Sequence, residues 1–107
     1  FRATPGPHAY NPIGVVHGGY AATLLDSACG VAVHSMLEPG QGYTTLELKV
    51  AYHRAITNET GPVEAVGKIT SFGRRVAFSE AQLTDANGRL LASATSTLLV
   101  FELPARA

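Results

Sequence analysis

A long stretch without proline, from about Val16 to Leu37, constrains this chain more than any other feature. It is rich in Ala, Leu and Val, and Pro39-Gly40 closes it, as helix-stopping residues do. Its length predicts a helix of roughly five to six turns. Tyr20, Ala21, Leu24, Leu25, Ala28, Val31, Ala32 and Met36 go most of the way round such a helix. A helix that is apolar nearly all round is expected to be buried. Ala22, Ser27 and Gly30 are small and allow another backbone to come close.

Four strand-like runs follow the helix. Thr44 to His53 alternates well, with Leu46, Leu48, Val50 and Tyr52 expected on one face and Thr45, Glu47 and Lys49 on the other. Pro62 to Ser71, Arg75 to Asp85 and Leu90 to Phe101 complete the set. Asp85-Ala86-Asn87-Gly88 reads as a hairpin turn, and Gly73 marks a second tight turn. Short links favour antiparallel pairing. A curved antiparallel sheet wrapped around the helix meets these demands, giving an α+β fold. The first segment, Phe1 to Gly14, holds Pro5, Pro7 and Pro12 and offers a short edge strand at best. The sheet's open edges need a cover, and a second copy of the chain would supply one.

With 107 residues the chain suits one domain, spanning 1–107, with a real core. Hydrophobic residues make up 46% and charged ones 15%, which excludes a disordered chain and leaves apolar surface for an oligomer to bury. Eight basic residues balance eight acidic ones, so no charge excess points to nucleic acid. The lone Cys29 has no internal disulfide partner and reads as a buried thiol in a reducing compartment. No run is long and apolar enough for a membrane span and no leader opens the chain, so a cytoplasmic protein is expected. The sequence begins at Phe1 without Met, as a piece of a longer chain would.

The densest group of chemically useful residues is Asn11-Pro12-Ile13-Gly14-Val15-Val16-His17-Gly18-Gly19, with Asp26 further along the helix. His17, Gly18 and Gly19 stand where the helix begins. Backbone N–H groups there are free and the macrodipole is positive, a good place for a developing oxyanion. Two glycines equally make a tight turn into a helix. Asp26 lies within Leu24-Leu25-Asp26-Ser27-Ala28, a stretch expected to be buried, where a carboxylate is costly unless paired. It is either a functional acid or a structural one bonded to a nearby donor. Eight residues of helix separate Gly18 from Asp26, about 12 Å along the axis. One Asp side chain cannot cross that gap, so joint action on one bond calls for a site composed from two subunits. Thr44 and Thr45 open the first strong strand. Either hydroxyl could hold a water, although Thr is also an ordinary strand former. Arg74 and Arg75 form a basic turn suited to phosphate or simply to solvent. His8, His34 and His53 are scattered without metal-ligand spacing, so no metal is expected.

The pattern Asn11-Pro12-x-Gly14-x-x-His17-Gly18-Gly19-x-x-Ala22-x-x-x-Asp26 resembles the core motif of the hotdog-fold thioesterase superfamily. It is most similar to the branch related to phenylacetate-degradation and 4-hydroxybenzoyl-CoA thioesterases. The likeness continues through Thr45 to Tyr52, Gly73 to Ala77 and Asp85 to Leu90. It implies hydrolysis of an acyl- or aryl-acyl-coenzyme A, with coenzyme A as part of the substrate and no cofactor. It implies a homodimer with a continuous sheet, often paired into a homotetramer. It assigns carbonyl polarisation to the Gly18 N–H, and base or nucleophile to Asp26 of the partner subunit. Asn11 would place the carboxylate or water, Thr45 would hold water, and His17 would organise the loop. Gly19, Tyr52 and the turn Ser71-Phe72-Gly73-Arg74-Arg75 would bind substrate, the turn through the coenzyme A nucleotide. A hotdog hydratase or dehydratase using His17 with Asp26, and a non-catalytic acyl-CoA-binding protein, are the competing readings.

Overall fold

The proline-free stretch forms one helix, α1, over Gly18–His34. The computed structural model describes residues 1–9, 15–57 and 59–104. α1 starts two residues later than its apolar pattern suggests. Val15 and Val16 are extended instead, bridging to Thr57 and Ile56, and His17 turns the chain into the helix with ψ 135°. At the far end Ser35 caps the helix, and the next amides close tighter turns onto Val33 and His34.

Five strands build one sheet: β1 (Arg2–Ala3), β2 (Gln41–Tyr52), β3 (Val63–Phe72), β4 (Val76–Asp85) and β5 (Leu90–Glu102). Their order is β1-β3-β4-β5-β2, and all neighbours run antiparallel. This is the curled sheet around a helix that the strand pattern predicts. Among the described residues β1 pairs only with the start of β3, and no other strand follows along that edge. β2 is the other edge, along its whole length.

α1 lies on the concave face. Ala21, Leu25, Ala28, Cys29, Gly30 and Val33 face the sheet and are buried, a spacing of one helical stripe. The opposite stripe, Thr23, Ser27, Val31 and His34, is exposed. The expectation of burial on nearly all sides therefore fails for a single protomer, because the sheet covers one side of the helix only. Beneath the helix the sheet carries Ala65, Ala77, Ala81, Ala92 and Ala94, all buried, with Leu83, Leu91 and Leu98 filling the space between. Each large buried side chain contributes about 1.5–3 kcal/mol relative to exposure. The small carpet brings the helix unusually near the sheet. At Gly67 of β3 a Cβ would fall well inside contact with the carbonyl oxygen of Ala28.

The faces of β2 correct the simple alternation. A β-bulge between Thr45 and Glu47 inserts Leu46 as an unpaired extra residue. Thr45 stands opposite the buried Leu98 and faces the helix, whereas Leu46 is 57% exposed. Tyr43, Thr45, Leu48, Val50 and Tyr52 line the helix side, because their cross-strand partners Val100, Leu98, Ser96, Ala94 and Ala92 are buried there. An alternation count cannot see a bulge, since the extra residue reverses the phase without any marker in composition.

The β4–β5 hairpin matches its turn motif. The Gly88 N–H donates to the Asp85 carbonyl at 3.0 Å, and Gly88 takes φ 78°. The Asp85 carboxylate accepts from the N–H groups of Asn87 and Arg89 and from the Arg89 guanidinium, each at 2.9 Å. The Arg89 amide, the Arg89 side chain and the Asn87 amide hold its carboxyl below the ordinary value of 3.8, against the opposing effect of burial.

Two expectations follow. Gly67→Ala should destabilise the fold by about 1–3 kcal/mol in urea unfolding, since a backbone carbonyl cannot move aside as a flexible side chain can. Asp85, with its pKa lowered on folding, stabilises the protein above the ordinary carboxylate range and loses that contribution as pH falls through its lowered value. Asp85→Asn should therefore cost stability at neutral pH, and the gap from wild type should narrow on acidification below about pH 4. A gap that is constant with pH would show that Asp85 does not titrate with folding.

Candidate functional site

The start of α1 is held by side chains from both its own entrance and β2. The Nδ1 atom of His17 accepts the Gly19 N–H at 2.9 Å. The Tyr20 N–H donates to the His17 carbonyl at 3.0 Å. The Gly18 N–H has no acceptor among the described residues, and it stands at the positive end of the helix dipole. Across from it, the Tyr52 hydroxyl donates to the Gly18 carbonyl at 2.7 Å. A Cβ on Gly18 would lie 3.1 Å from that hydroxyl oxygen, so glycine leaves the phenol its place. A cleft of about 410 Å³ opens here, lined by Val15, Val16, Gly18, Ala21, Tyr52, His53, Arg54, Ala55 and Ile56.

Two turns further along, Asp26 meets β2 again. The Thr45 hydroxyl donates to Asp26 Oδ1 at 3.0 Å. Asp26 is half-buried rather than fully enclosed, and the bulge at Leu46 is what turns Thr45 inward to reach it. The carboxylate thus has a donor on one oxygen and an approach open to solvent. α1 runs antiparallel to β2, with Gly18 against Tyr52, Asp26 against Thr45, and Gly30 beneath the Tyr43 ring.

The residues singled out in the sequence therefore fall into separate groups. His17, Gly18, Gly19 and Tyr52 come together at the helix entrance, and Asp26 and Thr45 at its middle. Within one protomer the two groups stay about 12 Å apart along the helix axis. Ser71 and Phe72 end β3, and Gly73, Arg74 and Arg75 form the β3–β4 turn, where the Gly73 N–H donates to the Val76 carbonyl at 2.9 Å. That turn packs near the C-terminal end of α1: Phe72 is half-buried against Val33, Ala77, Leu98 and Val100. Arg74 and Arg75 line a cleft of about 460 Å³ with Gln41, Phe101 and Glu102. Asn11, with the rest of its Asn-Pro-x-Gly segment, lies outside the described residues.

Sequence reasoning weighed His53 only as a metal ligand and passed over Arg54 and Ala55; all three border the cleft beside Gly18. They follow β2 in a segment with no motif, and only the return of β2 under the helix start brings them there. Cys29 is buried as expected. Burial pushes its thiol up, Ser79 opposes this, and Asp26 and Glu80 add to it, so it is a poor nucleophile. Among the described residues no group of three His, Cys, Asp or Glu gathers as a metal site, and no helix is long and apolar enough to cross a membrane.

One helix packed against a curled five-stranded antiparallel sheet defines the hotdog class. A match to the Thioesterase superfamily covers residues 13–92, and the chain belongs to that superfamily. It is 33% identical over 91 residues to a Pseudomonas aeruginosa protein assigned as an esterase, covering 85% of this chain and 64% of that one. It is 28% identical over 91 residues to a 1,4-dihydroxy-2-naphthoyl-CoA hydrolase of Listeria monocytogenes, covering 85% of this chain and 72% of that one. The chain thus spans less than two thirds of the first of these relatives. A Bacillus halodurans protein solved with CoA superposes with a TM-score of 0.88 at 33% identity, covering 94% of this chain and 69% of that one. A phenylacetic acid degradation-related protein of Ralstonia eutropha JMP134 superposes with a TM-score of 0.85 at 28% identity, covering 92% of this chain and 72% of that one.

His17 makes a testable structural contribution. Its Nδ1 serves as an N-cap acceptor, and loss of such a cap typically costs about 1 kcal/mol. His17→Ala should lower stability by about that much in urea unfolding. His17→Asn, which keeps an acceptor at the cap, should recover most of it.

Proposed function

We propose that this chain is a subunit of an acyl-CoA thioesterase, cleaving an acyl- or aryl-acyl-coenzyme A to free acid and CoA at a site made by two copies. One observation carries this reading: a helix-entrance amide with no acceptor among the described residues and a Thr-held carboxylate at mid-helix, too far apart on one chain to act on one bond. Two helices related by a two-fold axis bring the entrance of one beside the middle of the other. The shape of the protomer supports a partner. It measures 50 × 29 × 20 Å, with a radius of gyration of 15.3 Å. A compact domain of this length has about 13 Å. The open β2 edge, the exposed Leu46 and the uncovered stripe of α1 are surfaces a second copy would cover, in a dimer or a dimer of dimers.

In this reading the thioester carbonyl oxygen lies on the Gly18 N–H. That donor strengthens its hold as the oxygen becomes an oxyanion, which lowers the barrier without tightening substrate binding equally. Asp26 of the partner subunit, its Oδ1 oriented by Thr45, drives attack on the carbonyl carbon. It does so by taking a proton from water, or by attacking the carbon itself to form an acyl anhydride that water then hydrolyses to the free acid. In either case the carbon–sulfur bond breaks, and the CoA thiolate leaves and takes up a proton. Arg74 and Arg75 suit the phosphates of the CoA nucleotide. The hydratase reading is weaker. His17 commits Nδ1 to the Gly19 N–H, as the cap of the helix. The CoA bound by the Bacillus halodurans protein supports the ligand class, and the relatives' names support hydrolysis.

Asp26→Asn should reduce kcat by roughly 10²–10⁴-fold, while the melting temperature stays close to wild type, because the Thr45 hydroxyl can still donate to the amide oxygen. The measurement is thiol release from phenylacetyl-, hydroxybenzoyl-, short-chain and medium-chain acyl-CoAs, alongside the mass of the active species in solution. Full activity in the variant, or normal turnover by a monomer, would remove the composite site.

A further inference from the structure

We propose that Tyr52 is a positioning residue: with His17 it clamps the Gly18–Gly19 peptide and so limits the rotation of Gly18, whose N–H is carried by the preceding peptide. The inference rests on the thioesterase reading for its catalytic consequence, but the clamp itself is a property of the chain alone.

The need for a clamp comes from the sequence. Two adjacent glycines open the helix, and glycine has the widest backbone freedom of any residue. The Gly18 N–H belongs to the His17–Gly18 peptide, whose carbonyl accepts the Tyr20 N–H at 3.0 Å, so the helix ties one end of that plane and leaves the N–H end and the Gly18 torsions unheld. The observed contacts supply what the glycines lack. The peptide between Gly18 and Gly19 has its carbonyl held by the Tyr52 hydroxyl at 2.7 Å and its N–H held by His17 Nδ1 at 2.9 Å. Both polar ends of one peptide plane are thereby tied, one to the end of β2 and one to the residue that enters the helix. Fixing that plane fixes ψ of Gly18 and φ of Gly19. The remaining freedom at Gly18 is limited by the phenol ring lying against its Cα, at the distance where a Cβ would already touch.

Tyr52 acts through Gly18 rather than on substrate. Its hydroxyl proton is committed to a backbone oxygen, so a direct hydrogen bond from it to an acyl group would undo the clamp. An oxyanion donor is effective only when aimed before the reaction begins, and a displacement of about 1 Å at such a position costs rate steeply. The glycines and the tyrosine are therefore one device. Gly18 leaves room for the phenol, and the phenol restores the rigidity that glycine gives up.

The test uses the full chain and Tyr52→Phe, which removes the hydroxyl and keeps the ring. Thiol release is followed with whichever of phenylacetyl-, hydroxybenzoyl-, butyryl- and octanoyl-CoA the wild type turns over fastest. Hydrogen exchange at the Gly19 amide is followed by NMR without substrate. The expected result is a fall in kcat of about three- to tenfold with KM within about twofold, the range set by one net hydrogen bond. Faster exchange at the Gly19 amide should accompany it, because freeing the carbonyl loosens the whole peptide. An unchanged kcat, or a raised KM with kcat retained, would overturn the positioning role, the second by making Tyr52 a substrate contact. Unchanged Gly19 exchange would overturn the clamp. If the wild type releases no thiol from any of the four, the thioesterase reading fails, and the exchange experiment still decides the clamp.

Discussion

The close seating of α1 on the sheet is the contact on which everything else depends. Gly67 lies beneath the Ala28 carbonyl, and the surrounding sheet positions are mostly alanine. Bulkier residues there would lift the helix by an ångström or more. Interiors are packed too tightly to absorb such a change locally. The seating also sets the level at which the helix entrance meets Tyr52 and its middle meets Thr45. The same alanines that reduce the bulk of the core thus hold the polar groups of the site in reach of β2.

β2 is the strand that turns a packed fold into a site. It carries both the Tyr52 hydroxyl and the Thr45 hydroxyl to the helix, and its bulge at Leu46 keeps them on the same face. Without the extra residue, Thr45 and Tyr52 would point to opposite sides of the sheet, seven positions apart in a period of two. Bulges redirect side chains in this way near functional sites. The strand is also an edge of the sheet, so the element that arranges the polar groups carries sheet hydrogen bonds to β5 on one side only.

Much of this was legible in the residues. The helix, the four long strands and the Asp85–Gly88 turn follow from proline placement, apolar periodicity and glycine, because those are local effects that neighbours in sequence decide. The grouping of His17, Gly18 and Gly19 at a helix start was legible for the same reason. The inward turn of Thr45 was not, since a bulge reverses the count without a marker. Nor was the exposed stripe of α1, because which side of a helix the sheet covers depends on how the sheet curls and not on the helix's own composition.

The sequence by itself determined which residues have the chemistry: an amide freed by glycine at a helix entrance, an acid inside a helix, and a basic turn. Only the tertiary structure decided their company. Tyr52 reaches Gly18 across 34 residues and Thr45 reaches Asp26 across 19. Such contacts arise from how the sheet curls and where β2 passes under the helix, and no local preference encodes either. The separation of the amide from the acid, by contrast, was already set by the eight residues of helix between them, because helical rise is a local property.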